Sequence, residues 1–167
     1  RDNETVPQKS IVVYPDQAHQ LMRYYNWHTV VRADRIHSLR LISVEGGYNP
    51  KNVFGHSALL IVMCAAGTEI NDECLKNKTD HLVLTFRAEV PAGTRLNPLK
   101  AALGHYPAHA FLTPWLEFSA LYDKESRSIL NIPLNLNRHQ IELFVNQLSR
   151  VISQEQPYEF FSSNCAT

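Results

Sequence analysis

The stretch His37–Val62, HSLRLISVEGGYNPKNVFGHSALLIV, decides how the chain reads. From Ser38 to Glu45, Leu39, Leu41 and Ser43 alternate with Arg40, Ile42 and Val44, the period of a strand whose two faces differ. Gly46-Gly47 ends that strand, and GGYNPKNV is turn chemistry. The segment from Gly55 to Met63 carries an apolar run that is rich in branched side chains and too short for a free-standing helix. That pattern predicts a buried strand, with His56 at its entrance.

Working outward, HLVLTFRAEV (81–90) predicts another strand, stopped by Pro91 and Gly93. Residues 128–136 read as a strand carrying Pro133. Asn137 then caps the clearest helix of the chain, whose Ile141, Phe144, Val145, Leu148 and Val151 or Ile152 share one face, while Glu142, Asn146, Gln147 and Arg150 fall elsewhere. Such a stripe belongs in a core. Upstream, Asp16 after Pro15, with Ala18, Leu21, Met22 and Tyr25 at helical spacing, predicts a helix over 16–27. Between 97 and 122, Pro98, Gly104, Pro107 and Pro114 predict irregular chain with short helices and aromatic mass from Trp115, Phe118 and Tyr122. The sum is an α+β domain with an antiparallel sheet holding 38–45, 56–63 and 81–90. The two periods alternate too irregularly for a doubly wound parallel sheet.

The 167 residues (19.1 kDa) suit one globular domain able to bury a core without staples. At 44% hydrophobic and 19% charged, the composition excludes disorder and a disulfide-dense scaffold. Sixteen Lys plus Arg balance sixteen Asp plus Glu, which removes the overall charge footprint of a nucleic-acid binder. The longest apolar run, Ala58 to Ala66, falls well short of the roughly 20 residues a bilayer-spanning helix needs. The chain opens at Arg1 on a polar stretch, with no signal peptide of its own, and reads as a processed or trimmed product.

Cys64 and Cys74 flank the polar stretch AAGTEINDE, and Cys165 stands apart. In an oxidising compartment the first two would close a small loop; two unpaired thiols near a strand is the alternative. The scattered histidines and cysteines offer no metal-ligand spacing, and no cofactor is expected. Asn77-Lys78-Thr79 and Asn3-Glu4-Thr5 match a glycosylation sequon, a pattern short enough to arise by chance.

The tail YEFFSSNCAT (158–167) holds the candidate nucleophile. Ser162, Ser163 and Asn164 are helix-capping residues, so Cys165 would stand at a helix N-terminus. There the dipole and free N–H groups favour a thiolate and can receive an oxyanion. The bland reading is a buried, inert cysteine. A thiolate needs a base, and His56 at the entrance of a core strand is the candidate, although such a histidine is often structural. Together they make a Cys–His arrangement of the papain kind with the chain order reversed, as a circular permutation would give.

Three motifs in order, Phe54-Gly55-His56, Leu134-Asn135-Leu136 with Gln140, and Asn164-Cys165-Ala166-Thr167, make the chain resemble the periplasmic domain family typified by the N-terminal domain of Lnb, a bacterial lipoprotein N-acyltransferase. The resemblance runs from about Ser38 to Thr167, about three quarters of the chain. It implies a circularly permuted papain-like (NlpC-like) cysteine-enzyme fold related to the lecithin retinol acyltransferase group. Its thiolate would take an acyl chain from a phospholipid or an acylated lipoprotein and pass it to an amine. By analogy with related folds, His81 would be a second polar residue orienting the base; otherwise it is an exposed strand-end residue beside Asp80. The resemblance also implies a single periplasmic catalytic-type domain over 1–167, part of a longer chain that continues into the helix capped at Cys165. Membrane contact would come through those further parts.

The leading expectation is therefore a thiol-dependent acyltransferase of the bacterial envelope, using Cys165 and His56. A papain-like cell-wall peptidase shares the thioester step. A non-catalytic envelope domain, binding a lipid or partner through aromatics around Trp115, is the reading from another class.

Overall fold

The computed structural model describes residues 11–13, 22–24, 30–47, 55–88, 93–95, 97, 100, 105–153 and 156–158. In chain order these hold β1 (Ile11–Val13), β2 (Met22–Tyr24), β3 (Ile36–Val44), β4 (His56–Met63), β5 (Leu82–Ala88), β6 (Tyr106–Pro114), α1 (Trp115–Lys124), β7 (Ile129–Leu134), α2 (Arg138–Ser153) and β8 (Gln156–Tyr158). Short 3-10 turns lie at Ala33–Arg35, Asp72–Leu75 and Lys78–Asp80. β1 and β2 pair with each other, and the other six strands form one antiparallel sheet in the order β7-β3-β4-β5-β6-β8.

The predicted antiparallel α+β arrangement is present, and the strands expected near 38–45, 56–63 and 81–90 are three of its four interior strands. Two expectations need correction. Met22–Tyr24, inside the predicted 16–27 helix, is extended and pairs with Ile11–Val13. The branched residues Ile11, Val12 and Val13 supply a strand partner, and pairing overrides the local helical spacing. The segment read as irregular chain with short helices holds a nine-residue strand, β6, ahead of the short helix α1. Among the described residues Pro107 pairs with Pro157 of the three-residue β8, close to the sheet edge, where a missing donor costs little. Pro114 ends β6 and is also the N-cap residue of α1, so it marks the boundary between the two elements.

Alternation along each strand splits the apolar residues between two faces. On one, Leu39, Ile61, Met63, Leu82, Leu84 and Leu112 pack with Ile141 and Leu148 of α2. On the other, Ile42, Val44, Ala58, Leu60, Val62 and Val83 pack with Phe118 and Tyr122 of α1. The result is three layers with the sheet in the middle. Ile141, Phe144, Val145 and Leu148 all pack on their face as the helical stripe predicted. Full burial of Ile141 and of Leu148 contributes about 1.5–3 kcal/mol each, which outweighs the few tenths that separate one helix former from another.

The start of α2 is also tied to the sheet. The Arg138 guanidinium donates to the carbonyl of Ile36 at 2.7 Å, and to that of Ala33.

Candidate active site

His56 is the first residue of β4 and pairs with Val44 of β3. The residue before it is glycine, and a Cβ on Gly55 would meet the Val44 carbonyl oxygen at 2.9 Å, too close without a backbone shift. Close approach of backbone to backbone thus fixes where the strand, and with it the histidine, begins. The half-buried ring lies on the α1 face. Its centroid is 6.2 Å from that of Phe118 and 6.3 Å from that of Tyr122, with the Tyr122 ring tilted only 24° from its plane. Phe118 meets Tyr122 edge-on at 4.8 Å, and Trp115 stacks on Phe118 at 6.1 Å.

This aromatic wall covers a face of the imidazole, whereas both ring nitrogens lie in the ring plane, where hydrogen bonds and proton transfers occur. Nε2 is shielded from solvent. The wall itself is anchored from behind. The Arg127 guanidinium lies 4.9 Å over the Tyr122 ring, donates through Nε to the Glu45 carbonyl at 2.7 Å, and pairs with Glu125 at 3.2 Å. Phe118, Tyr122 and Arg127 are thus the surroundings of His56 that sequence reasoning missed. The signal was the i, i+4 spacing of Phe118 and Tyr122, hidden by the prolines before them.

Cys165 and its neighbours Asn164, Ala166 and Thr167 lie outside the described residues, as does Phe54.

His81, just before β5, is buried at 3% exposure, so the alternative of an exposed strand-end residue is corrected. Its Nε2 is 2.8 Å from the Cys74 carbonyl, which can only accept, so this nitrogen carries the proton. Burial pushes its pKa below the usual histidine value, against the opposing pull of the Cys74 carbonyl and Asp80. The β4–β5 register continues to put His81 opposite Val62, at the far end of β4 from His56. At about 3.3 Å per residue that is roughly 20 Å, so the two imidazoles are not brought together.

Cys64 and Cys74 are disulfide-bonded, as one of the two readings of their spacing had it. Neither sulfur is left to bridge Cys165. Arg35 donates through Nε and Nη2 to the Cys64 carbonyl at 3.1 and 2.8 Å, and Nη2 also reaches Asp80 at 3.1 Å. Asn77 of the sequon is occupied locally, its Oδ1 accepting from the Thr79 hydroxyl at 2.6 Å. Trp115, expected among exposed aromatics, is half-buried against the α1-side core.

On the opposite face of the sheet, α2 leaves a trough of about 350 Å³ lined by Leu41, Leu59, Leu84, Phe86 and Phe144, with Ser57 and Gln147. The sheet separates it from the His56 ring. Among the described residues no cluster of His, Cys, Asp and Glu could hold a metal, and no helix is long and apolar enough to cross a membrane.

Neither the curated proteins nor the solved structures contain a match to the chain. The family model of the Lnb N-terminal periplasmic domain matches residues 23–167, which takes in β3 through β8, His56 and the NCAT motif. The chain therefore belongs to the Lnb N-terminal periplasmic domain family, and it is an extracytoplasmic protein of the cell envelope.

Proposed function

We propose that this domain is a thiol-dependent acyltransferase of the envelope, built on a permuted papain-like fold, with Cys165 as nucleophile and His56 as its base. The reading rests on family membership over 23–167, and one observation carries it: His56 of the FGH triplet opens a core strand right after a glycine pressed against the Val44 carbonyl, with its ring held by Phe118 and Tyr122. A base needs such a fixed ring, since a misplacement of about 1 Å can cost a hundredfold in rate.

In this mechanism His56 takes the thiol proton, and the Cys165 sulfur attacks the acyl carbonyl of a phospholipid or an acylated lipoprotein. The carbonyl re-forms as the donor oxygen leaves with a proton from the imidazolium, giving a thioester. An amine then attacks the thioester, gives its proton to His56, and departs as the amide while the thiol is restored. Water in place of the amine makes the same site a hydrolase.

Mass analysis of products distinguishes these routes. The protein is incubated with a diacylated lipopeptide donor and an amine-bearing acceptor peptide. Acyl transfer predicts an N-acylated acceptor that is absent for Cys165→Ser; free fatty acid alone points to hydrolysis. Full activity in Cys165→Ser excludes thiol catalysis.

A further inference from the structure

The aromatic wall around His56 belongs to α1, and α1 has no side-chain cap at its start: Pro114 is the N-cap residue and offers none. The first helical N–H, that of Trp115, is satisfied instead by the backbone carbonyl of His81 at 2.9 Å. His81 is itself held from its other end, where its ring N–H donates to the Cys74 carbonyl. Cys74 is covalently joined to Cys64, whose carbonyl takes both Arg35 donors and whose N–H donates to the Arg35 carbonyl at 2.8 Å. The line from disulfide to site is therefore continuous: Cys64–Cys74, the His81 ring, the His81 carbonyl, the Trp115 N–H, then Trp115 on Phe118 and Phe118 and Tyr122 against His56.

We infer that the disulfide-closed loop and His81 set the position of α1 on the sheet, which makes His81 a positioning residue for the distant His56 ring. The inference deepens the proposed function, because it says how the base of that reaction is held, yet the geometry it describes exists whether or not His56 takes a proton. Two features favour a positioning role over simple core filling. A buried histidine whose ring donates to one segment and whose carbonyl accepts from another holds the two segments together by hydrogen bonds at both of its ends. An apolar residue of similar size would fill the space but leave the Cys74 carbonyl without its donor.

The test is an NMR comparison in the 167-residue chain, following the ring signals of His56, Phe118 and Tyr122. His81→Leu removes the donor, His81→Gln keeps an N–H that can reach a carbonyl, and Ile141→Val weakens the core on the opposite face of the sheet. The inference predicts that His81→Leu displaces the signals of all three rings beyond linewidth, that His81→Gln brings them back toward wild type, and that Ile141→Val leaves them in place. If His81→Leu does not fold, the Cys64→Ala/Cys74→Ala double variant takes its place and must displace the same signals. Folded His81→Leu or double-cysteine protein with all three rings at wild-type positions overturns the inference, as does an equal displacement by Ile141→Val. None of these readouts depends on catalysis, so loss of the acyltransferase reading would leave the result standing.

Discussion

Asn137 and Gln140 hold each other's backbone: the Asn137 Oδ1 accepts from the Gln140 N–H at 2.9 Å, and the Gln140 Oε1 accepts from the Asn137 N–H at 2.9 Å. This reciprocal box satisfies two donors at the start of α2 and fixes the helix where Leu134 and Leu136 bring the chain off β7 onto the α2-side core. Asn137→Ala should therefore cost about 1 kcal/mol in urea unfolding. Because the two side chains act on one helix end, the double variant with Gln140→Ala should cost less than the two single losses together.

Gly55→Ala tests the entrance to β4. The added Cβ has only backbone opposite it, the Val44 carbonyl oxygen at 2.9 Å, and backbone cannot swing aside as a long side chain can. Overpacking of this kind should cost about 1–3 kcal/mol in chemical denaturation. It should also move the His56 ring signals. A stability change within a few tenths of a kcal/mol of zero would show that the strand entrance yields freely.

The Cys64–Cys74 bond closes a loop across a sequence separation of 10. Loop-closure entropy gives such a short loop about 2–3 kcal/mol. Reduction with a dithiol should lower the unfolding midpoint accordingly. Under denaturing, non-reducing conditions a thiol reagent should label one cysteine of the three, and tryptic mapping should identify it as Cys165.

How much of this could be read without coordinates depended on whether local signals and tertiary pairing agreed. The β3 and β4 strands and the α2 stripe were legible because their periodicity matches their burial, face by face. The Gly55-His56 step was legible as a motif, although its cause, the Val44 carbonyl, lies on another strand and has no local signature. β2 was misread because its partner strand, not its own spacing, decides its state. β6 was hidden by Pro107 and Pro114, the second of which stops that strand and starts α1. The role of His81 was the least legible, since it depends on a disulfide loop and a helix start separated from one another by some forty residues of chain.

The burial of His81 makes a pH prediction. Its folded pKa is depressed, while in the unfolded chain it titrates near about 6.5. Between those two values the unfolded state binds the proton and the folded state does not. The His81 contribution is thus fully present above about pH 6.5 and is lost as pH falls toward the folded pKa. Urea midpoints measured from pH 7.5 down to 5 should fall more steeply for wild type than for His81→Gln. Parallel curves would mean that His81 takes its proton in the folded state as readily as in the unfolded one.

The central claim is that His56 serves Cys165, and thiol alkylation measures it most directly. With Cys64 and Cys74 bonded to each other, iodoacetamide under non-reducing conditions reads Cys165. An isolated thiol has a pKa near about 8.5, whereas an imidazole partner raises the thiolate fraction at neutral pH. The account predicts that at pH 7 wild-type Cys165 reacts about tenfold faster than Cys165 in the His56→Ala variant, whose rate should climb with pH as an ordinary thiol's does. Superimposable rate–pH curves for wild type and His56→Ala would contradict it.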